Sequence, residues 1–293
     1  MISPLAGALF DARPRPTVPW EAAWSLHPSI LVGTALLGAL YFWGIGPARR
    51  RFGLGPPARR SEVLAFSAGI GVMLVSLNGP IHDLSDYYLF LIHMAQHLLL
   101  TLLLPPLLIY GTPPWLLRPL LRNPGVLAVA RGLTHPVVAG LLFSTVVAAW
   151  HTVPAYDLMM RNHEVHISTH LMFMVVAVLM WWPAMSRMPE LPPLSLGARM
   201  LYLFLVSLPM QAVAAIITFA DAPLYTWYVS APRTWGLSPL EDQKLGGLLM
   251  WVPGNLWMFG AIALLFFRWA REERDETERE RVARKALAVT GER

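Results

Sequence analysis

The sequence predicts an all-α, polytopic membrane bundle of about seven transmembrane helices, with the N-terminus outside and the C-terminus in the cytoplasm. Three observations predict it. The first is composition: 55% of the 293 residues are hydrophobic and only 14% are charged, where soluble domains carry about 25% charged residues, and the mean hydropathy is +0.48. The second is a set of seven apolar runs, most as long as the roughly 17–25 residues a helix needs to cross a bilayer. The third is the placement of arginine in alternate loops.

The runs cover 28–46, 63–80, 87–110, 135–151, 163–183, 200–219 and 246–269. They are continuous rather than alternating, so they read as helices and not as β-barrel strands. The fourth is short and draws on its flanks to complete a span. The first connecting loop holds Arg49, Arg50, Arg51, Arg59 and Arg60, the third Arg118, Arg122 and Arg131, and the fifth Arg187 and Arg199. The alternate loops hold no basic residue at 81–86, Arg161 in the fourth, and Arg233 with Lys244 in the sixth. The positive-inside rule places the arginine-rich side in the cytoplasm, and this orientation agrees with an odd number of spans.

Three regions follow. Residues 1–27 form an N-terminal periplasmic or interfacial segment with Trp20 and Trp24 at the membrane surface, 28–269 form the seven-helix domain, and 270–293 form a charged cytoplasmic tail. The first 20 residues lack an apolar core preceded by positive charge, so no cleaved signal peptide is expected. The stretch 112–131 reads as a proline-broken interfacial segment, and the tail at 271–284 as a solvated helix with alternating charge. Prolines mark span ends at Pro80 and Pro183, and kinks at Pro105, Pro106, Pro209 and Pro253. There is no internal repeat.

Composition also limits the chemistry. The net charge is +5, but the basic residues lie in loops and the tail, a pattern of membrane topology rather than of a nucleic-acid surface. Nucleic acid is therefore not an expected partner. Cysteine is absent, so any metal must be held by histidine, methionine, carboxylate or backbone groups. No G-x-S-x-G, P-loop or dinucleotide fingerprint occurs. The string HEVHISTH at 163–170 lacks the HExxH spacing of zinc proteases.

The histidines carry the strongest signal. In this topology eight of the nine fall in the outer half or on the outer surface: His27, His82, His93, His97, His151, His163, His166 and His170, leaving His135 at a cytoplasmic helix start. His93 and His97 are i, i+4 and share one face; His163, His166 and His170 are i, i+3 and i+7 on another helix. At about 1.5 Å per residue, His93 lies roughly 9 Å and His97 roughly 15 Å below the start of the third span, and His166 and His170 roughly 5 and 10 Å below the start of the fifth. Facing helices then bring His93 and His170 to one depth, in the manner of a metal cage. His151 and His163 sit at outer span ends, as further ligands or access points. A lone intramembrane histidine is usually a hydrogen-bonding group, and that is the expected role of His27, His82 and His135.

Asp157 and Asp242 lie on the same side and are candidates to orient histidine rings from behind, with Gln243 beside Asp242. Asp83, Asp86 and Glu164 read as outer-loop acids. Met73, Met94, Met159, Met160, Met172 and Met174 are soft thioethers suited to Cu(I), though methionine also fills cores. This donor set suits copper, zinc or haem iron. Besides metal handling, it leaves two readings: a bis-histidine haem electron carrier, and an intramembrane zinc hydrolase with Asp157 or Glu164 as base.

Three blocks point further. They are HMAQHLLLTLLLPPLLIYGTP at 93–113, the long run from His135 to Pro183, and DQKLGGLLMWVPG at 242–254. In this order they resemble the CtaG-like cytochrome c oxidase assembly factors, over roughly residues 30–267. The resemblance implies a multi-pass protein of the bacterial inner membrane that matures a haem–copper oxidase by handling copper, without catalytic residues of its own. It implies the oxidase subunits, membrane lipid and a periplasmic copper donor as partners. It carries over His93, His97, His151, His166 and His170 as characteristic histidines, with Asp157, Asp242 and Gln243 as associated polar positions. His163 is an addition to that pattern, and Thr169 stands where an acidic residue is common.

Overall fold

Every long apolar run folds into helix, and the computed structural model describes residues 25–291. The interfacial segment with Trp20 and Trp24 lies outside them. The elements are α1 (Pro28–Phe52), α2 (Arg60–Ser76), α3 (Gly79–Tyr87), α4 (Phe90–Gly111), α5 (Pro114–Leu121), α6 (Pro124–Leu133), α7 (Pro136–Trp150), α8 (Val153–Arg161), α9 (His163–Met185), α10 (Leu196–Thr218), α11 (Thr226–Val229) and α12 (Pro239–Gly291). No strand occurs among the described residues; Met188 and Leu191 form one isolated bridge. Among the described residues five helices (α1, α4, α9, α10 and α12) are long and apolar enough to cross a membrane. Two bent pairs, α2 with α3 at 46° and α6 with α7 at 62°, bring the number to seven if each pair is one span.

The core lies where α4, α7, α9, α10 and α12 pack together around Met94, Phe143, Phe173, Met180, Trp181, Tyr202 and Met210. Exposed leucines, such as Leu36, Leu141, Leu201 and Leu264, cover the outer surface, as expected of helices that face lipid. Small residues permit the closest approaches. A Cβ on Gly111 would lie 2.8 Å from the Phe66 Cα, and one on Gly247 would lie 2.9 Å from the Thr218 backbone nitrogen. Gly111→Ala is therefore expected to push α4 from α2 and to cost about 1–3 kcal/mol, read as a fall in thermal unfolding temperature in detergent.

Proline chemistry shapes α4. Pro105 and Pro106 have no N–H, and the turn before them widens into a π-helical segment at Leu99–Leu103. The Thr101 carbonyl thereby loses its donor four residues on. It instead accepts from the Trp181 indole of α9 at 3.0 Å. Trp181→Phe keeps most of the packing but orphans that buried carbonyl, so a loss of about 1–3 kcal/mol is expected in the same unfolding assay.

The two ends of the bundle differ chemically. At one end the arginine-rich loops meet acidic partners. Arg187 pairs with the buried Glu62 at 2.8 Å and donates to the carbonyls of Tyr110 and Thr112. Arg118 pairs with Glu190 at 2.9 Å. From there α12 runs on as a charged helix with an Arg268–Glu272 pair at 2.8 Å, a solvated contact of little energetic weight. All the histidines except His135 lie toward the other end.

One loop assignment is corrected. Residues 81–86 are not a solvated loop: they form most of α3, which begins at Gly79, with φ +60°, and Pro80. Proline suits the first helical turn because the missing N–H is unpaired there anyway. Of this helix His82, Asp83, Ser85 and Asp86 are all buried. Ser25 and His27 dock onto it, with Ser25 N–H donating to Asp83 at 2.7 Å and His27 N–H to Asn78 at 2.9 Å.

Candidate functional site: a buried histidine chamber

α4 and α9 run side by side from the histidine end, so the depths inferred from helical rise do coincide. The His93 ring lies 5.8 Å from His166 and 6.0 Å from His170, and His97 lies 5.6 Å from His170, centre to centre. All four are buried. Eight of the nine histidines form one chain of ring contacts. From the surface it runs from His163 to His27 at 6.3 Å, from His27 to His82 at 4.3 Å, and from His82 to His166 and His170 at 6.0 and 6.3 Å. It continues through His93 and His97 to His151, 5.9 Å from His97. His135 stands apart as the residue that precedes α7.

Within this chain two groups bring their donor atoms within 4.8 Å of one another: His93, His97 and His170, and His82, Asp86 and His166. In the first group the two Nε2 atoms of His93 and His97 are 2.9 Å apart. Two nitrogens on one tetrahedral ion, each at about 2.0–2.1 Å, lie about 3.3 Å apart, so the pair is near the spacing a shared metal imposes. The His170 Nε2 is buried without a hydrogen-bond partner.

The second group was only partly legible. His166 was expected there, but its partners come from α3. Asp86 lies between His82 Nε2 at 3.5 Å and His166 Nε2 at 3.3 Å. Gln96, on α4 between His93 and His97, donates to the Ser76 carbonyl at 2.6 Å and reaches His82 Nδ1 at 3.3 Å. Accepting on Nδ1 leaves His82 with its proton on Nε2, toward Asp86. The signal in the sequence is the i, i+4 spacing of His82 and Asp86, the same spacing as His93 and His97.

A roof closes the chamber from the loop between α10 and α12, where α11 had not been anticipated. Trp227 donates its indole N–H to the Asp86 carbonyl at 2.6 Å, and the Tyr228 hydroxyl donates to the Ser85 carbonyl. That hydroxyl also lies 3.1 Å from His93 Nδ1 and accepts from Tyr156 at 3.4 Å. With its own proton on Ser85, it can only accept from His93, which sets the proton of His93 on Nδ1 and leaves Nε2 bare.

The three polar positions expected to orient histidines are placed elsewhere. Asp157 accepts from the Thr226 hydroxyl at 2.7 Å and so anchors α11. Asp242 accepts from the backbone N–H groups of Phe90 and Leu91 at 2.9 and 3.0 Å. It caps the first turn of α4, where free N–H groups and the helix dipole favour an anion. Gln243 accepts from Leu224 N–H at 2.6 Å and donates to the Ile217 carbonyl at 3.3 Å. Asp157 bonds a hydroxyl, and Asp242 and Gln243 bond backbone groups that have no helical partner, rather than imidazole. They hold the frame on which His93 is mounted and the roof above it.

His163 is exposed, outside both donor groups. With His27, His82, His166 and His170 it lines a cavity of 360 Å³ between α1, α2, α3 and α9, together with Met73 and Met174. Thr169 spends its hydroxyl on the Val165 carbonyl at 2.7 Å, and Asp86 supplies the carboxylate that touches the chamber.

A model of the cytochrome c oxidase caa3 assembly factors matches residues 39–272. An uncharacterized protein of Mycobacterium tuberculosis is 28% identical over 274 residues, covering 88% of this chain and 41% of its own length. One of Mycobacterium leprae is 26% identical over 285 residues, covering 92% and 42%. The chain thus spans about two-fifths of the length of these curated relatives. No solved structure matches it.

Proposed function

The chain belongs to the cytochrome c oxidase caa3 assembly factor family, and from that premise we propose that it carries copper in the histidine chamber for delivery to a haem–copper oxidase. One observation supports the reading above the rest: the donors of His93, His97 and His170 converge within 4.8 Å in a buried site. The residues fit the cargo. Imidazoles and thioethers without thiolates suit copper, and buried nitrogens without partners on His97, His151 and His170 leave lone pairs to fill. Copper enters through the 360 Å³ cavity, past His163 and His27, from a periplasmic donor. It leaves toward an oxidase subunit docked on the same side of the bacterial inner membrane. That orientation follows from the arginine-rich loops at the opposite end.

The role is carriage, not catalysis. Glu164 is exposed and Asp157 is engaged by Thr226, which leaves neither as a base over the triad. Haem fits less well than a bare ion. Two axial histidines need a macrocycle between them, whereas the His93 and His97 rings meet edge to face with centres only 4.3 Å apart on one helix.

In cells lacking the chain, the wild type is expected to restore oxidase activity and oxidase copper content, while His170→Gln restores neither at limiting copper. Excess copper in the medium should rescue the variant in part. Full maturation by His170→Gln at limiting copper would overturn the reading.

A further inference from the structure

Behind the triad lies a second, smaller compartment of 20 Å³, lined by His97, His151, Met94, Met210 and Met250 among apolar neighbours that include Phe143, Val147 and Phe173. A cavity needs about 10–15 Å³ to admit a single water, so this one has room for one small occupant. Its lining is nearly all apolar, with three thioether sulfurs and two imidazoles. His97, His151, Met94, Met210 and Met250 are all buried.

The hydrogen bonds around it determine which nitrogens are bare. His151 Nδ1 lies 2.7 Å from the Val147 carbonyl. A carbonyl only accepts, so the proton of His151 is on Nδ1 and its Nε2 carries the lone pair. That Nε2 is buried with no partner. For His97 the argument runs through three residues. Tyr228 donates to Ser85 and accepts from His93 Nδ1. His93 Nε2 is then bare and accepts from His97 Nε2–H at 2.9 Å. The proton of His97 is thus on Nε2, and its Nδ1 is the bare nitrogen, again buried with no partner. The two residues that carry these bare nitrogens both line the compartment, beside three methionines.

We propose that this compartment is a second metal site, selective for a soft monovalent ion, Cu(I), held by His97 Nδ1, His151 Nε2 and sulfur drawn from Met94, Met210 and Met250. Thioethers bind Cu(I) and discriminate against Zn(II), which prefers harder nitrogen and oxygen donors. A neutral imidazole has one bare nitrogen, so His97 serves either the triad or this compartment at a given moment. The choice of ion rests on the copper reading above; the presence of the site rests on the two bare nitrogens.

The test is X-ray absorption on the full chain, purified in detergent and loaded with Cu(I), beside the Met210→Leu/Met250→Leu double variant. The wild type is expected to show sulfur as well as nitrogen neighbours around copper. The variant should lose most of the sulfur signal and bind Cu(I) about tenfold or more weakly, with Zn(II) affinity unchanged. Leucine is close in volume to methionine, so the variant should fold, and its unfolding temperature checks this. Copper surrounded by nitrogen alone in the wild type would overturn this inference and leave the triad reading standing. A wild type that binds no copper would overturn both.

Discussion

Replacing His93 and His97 together with glutamine is expected to strip the chain of copper while the bundle stays folded. The two rings supply two of the three donors in the triad, and His97 also lines the smaller compartment. Glutamine keeps a polar group of similar reach for the Tyr228 hydroxyl, so the buried network keeps a partner. An amide is a poor ligand for a soft ion. Replacing a mere supporting residue of a metal site typically costs about 10–100-fold in affinity, so losing two ligands should weaken copper by more than about 100-fold by the same measure. Competition against a Cu(I) chelator measures this, with thermal unfolding as the control. Unchanged affinity in a folded variant would remove the triad from the account.

Asp242→Ala is expected to give the largest loss of stability of any single change considered. The carboxylate is fully buried and accepts from two backbone N–H groups at the start of α4. Alanine leaves both donors orphaned in an apolar setting and removes an anion from a helix N-terminus. Hydrogen bonds to charged groups contribute about 1.5–3 kcal/mol each, so a loss of about 3–5 kcal/mol is expected. Asp242→Asn should recover part of it, because the amide oxygen still accepts one bond. The unfolding midpoint of the three chains in one detergent is the check; an alanine variant within about 1 kcal/mol of wild type would show that the cap is dispensable. Because α4 carries His93 three residues beyond the cap, copper affinity should fall with stability in this variant. In the histidine variant the two separate.

The spans were legible because continuous apolar runs and arginine bias are one-dimensional signals. The meeting of His93 and His97 with His166 and His170 was legible too, because helical spacing converts directly into a face and a depth. What was not legible depends on the third dimension. α3 is short and polar, and in sequence its His82, Asp83 and Asp86 look like a solvated loop. Packing against α4 and α9, the docking of Ser25 and His27, and the roof from Trp227 and Tyr228 bury it. Asp157, Asp242 and Gln243 lie on the histidine side, but which partner a polar side chain takes depends on which hydroxyls and backbone groups the loops bring beside it. That is decided by how loops cross, not by residue type. Met210 and Met250 carry no signal in the sequence because each lies far from any histidine; the fold alone brings them beside His97 and His151.

The central claim is that the chamber holds copper. Elemental analysis of the protein, purified in detergent without added metal or chelator and quantified per chain, tests it most directly. The account predicts copper in the wild type and its loss from the His93→Gln/His97→Gln variant. Iron or zinc in place of copper, or a copper content equal in the two proteins, would contradict it.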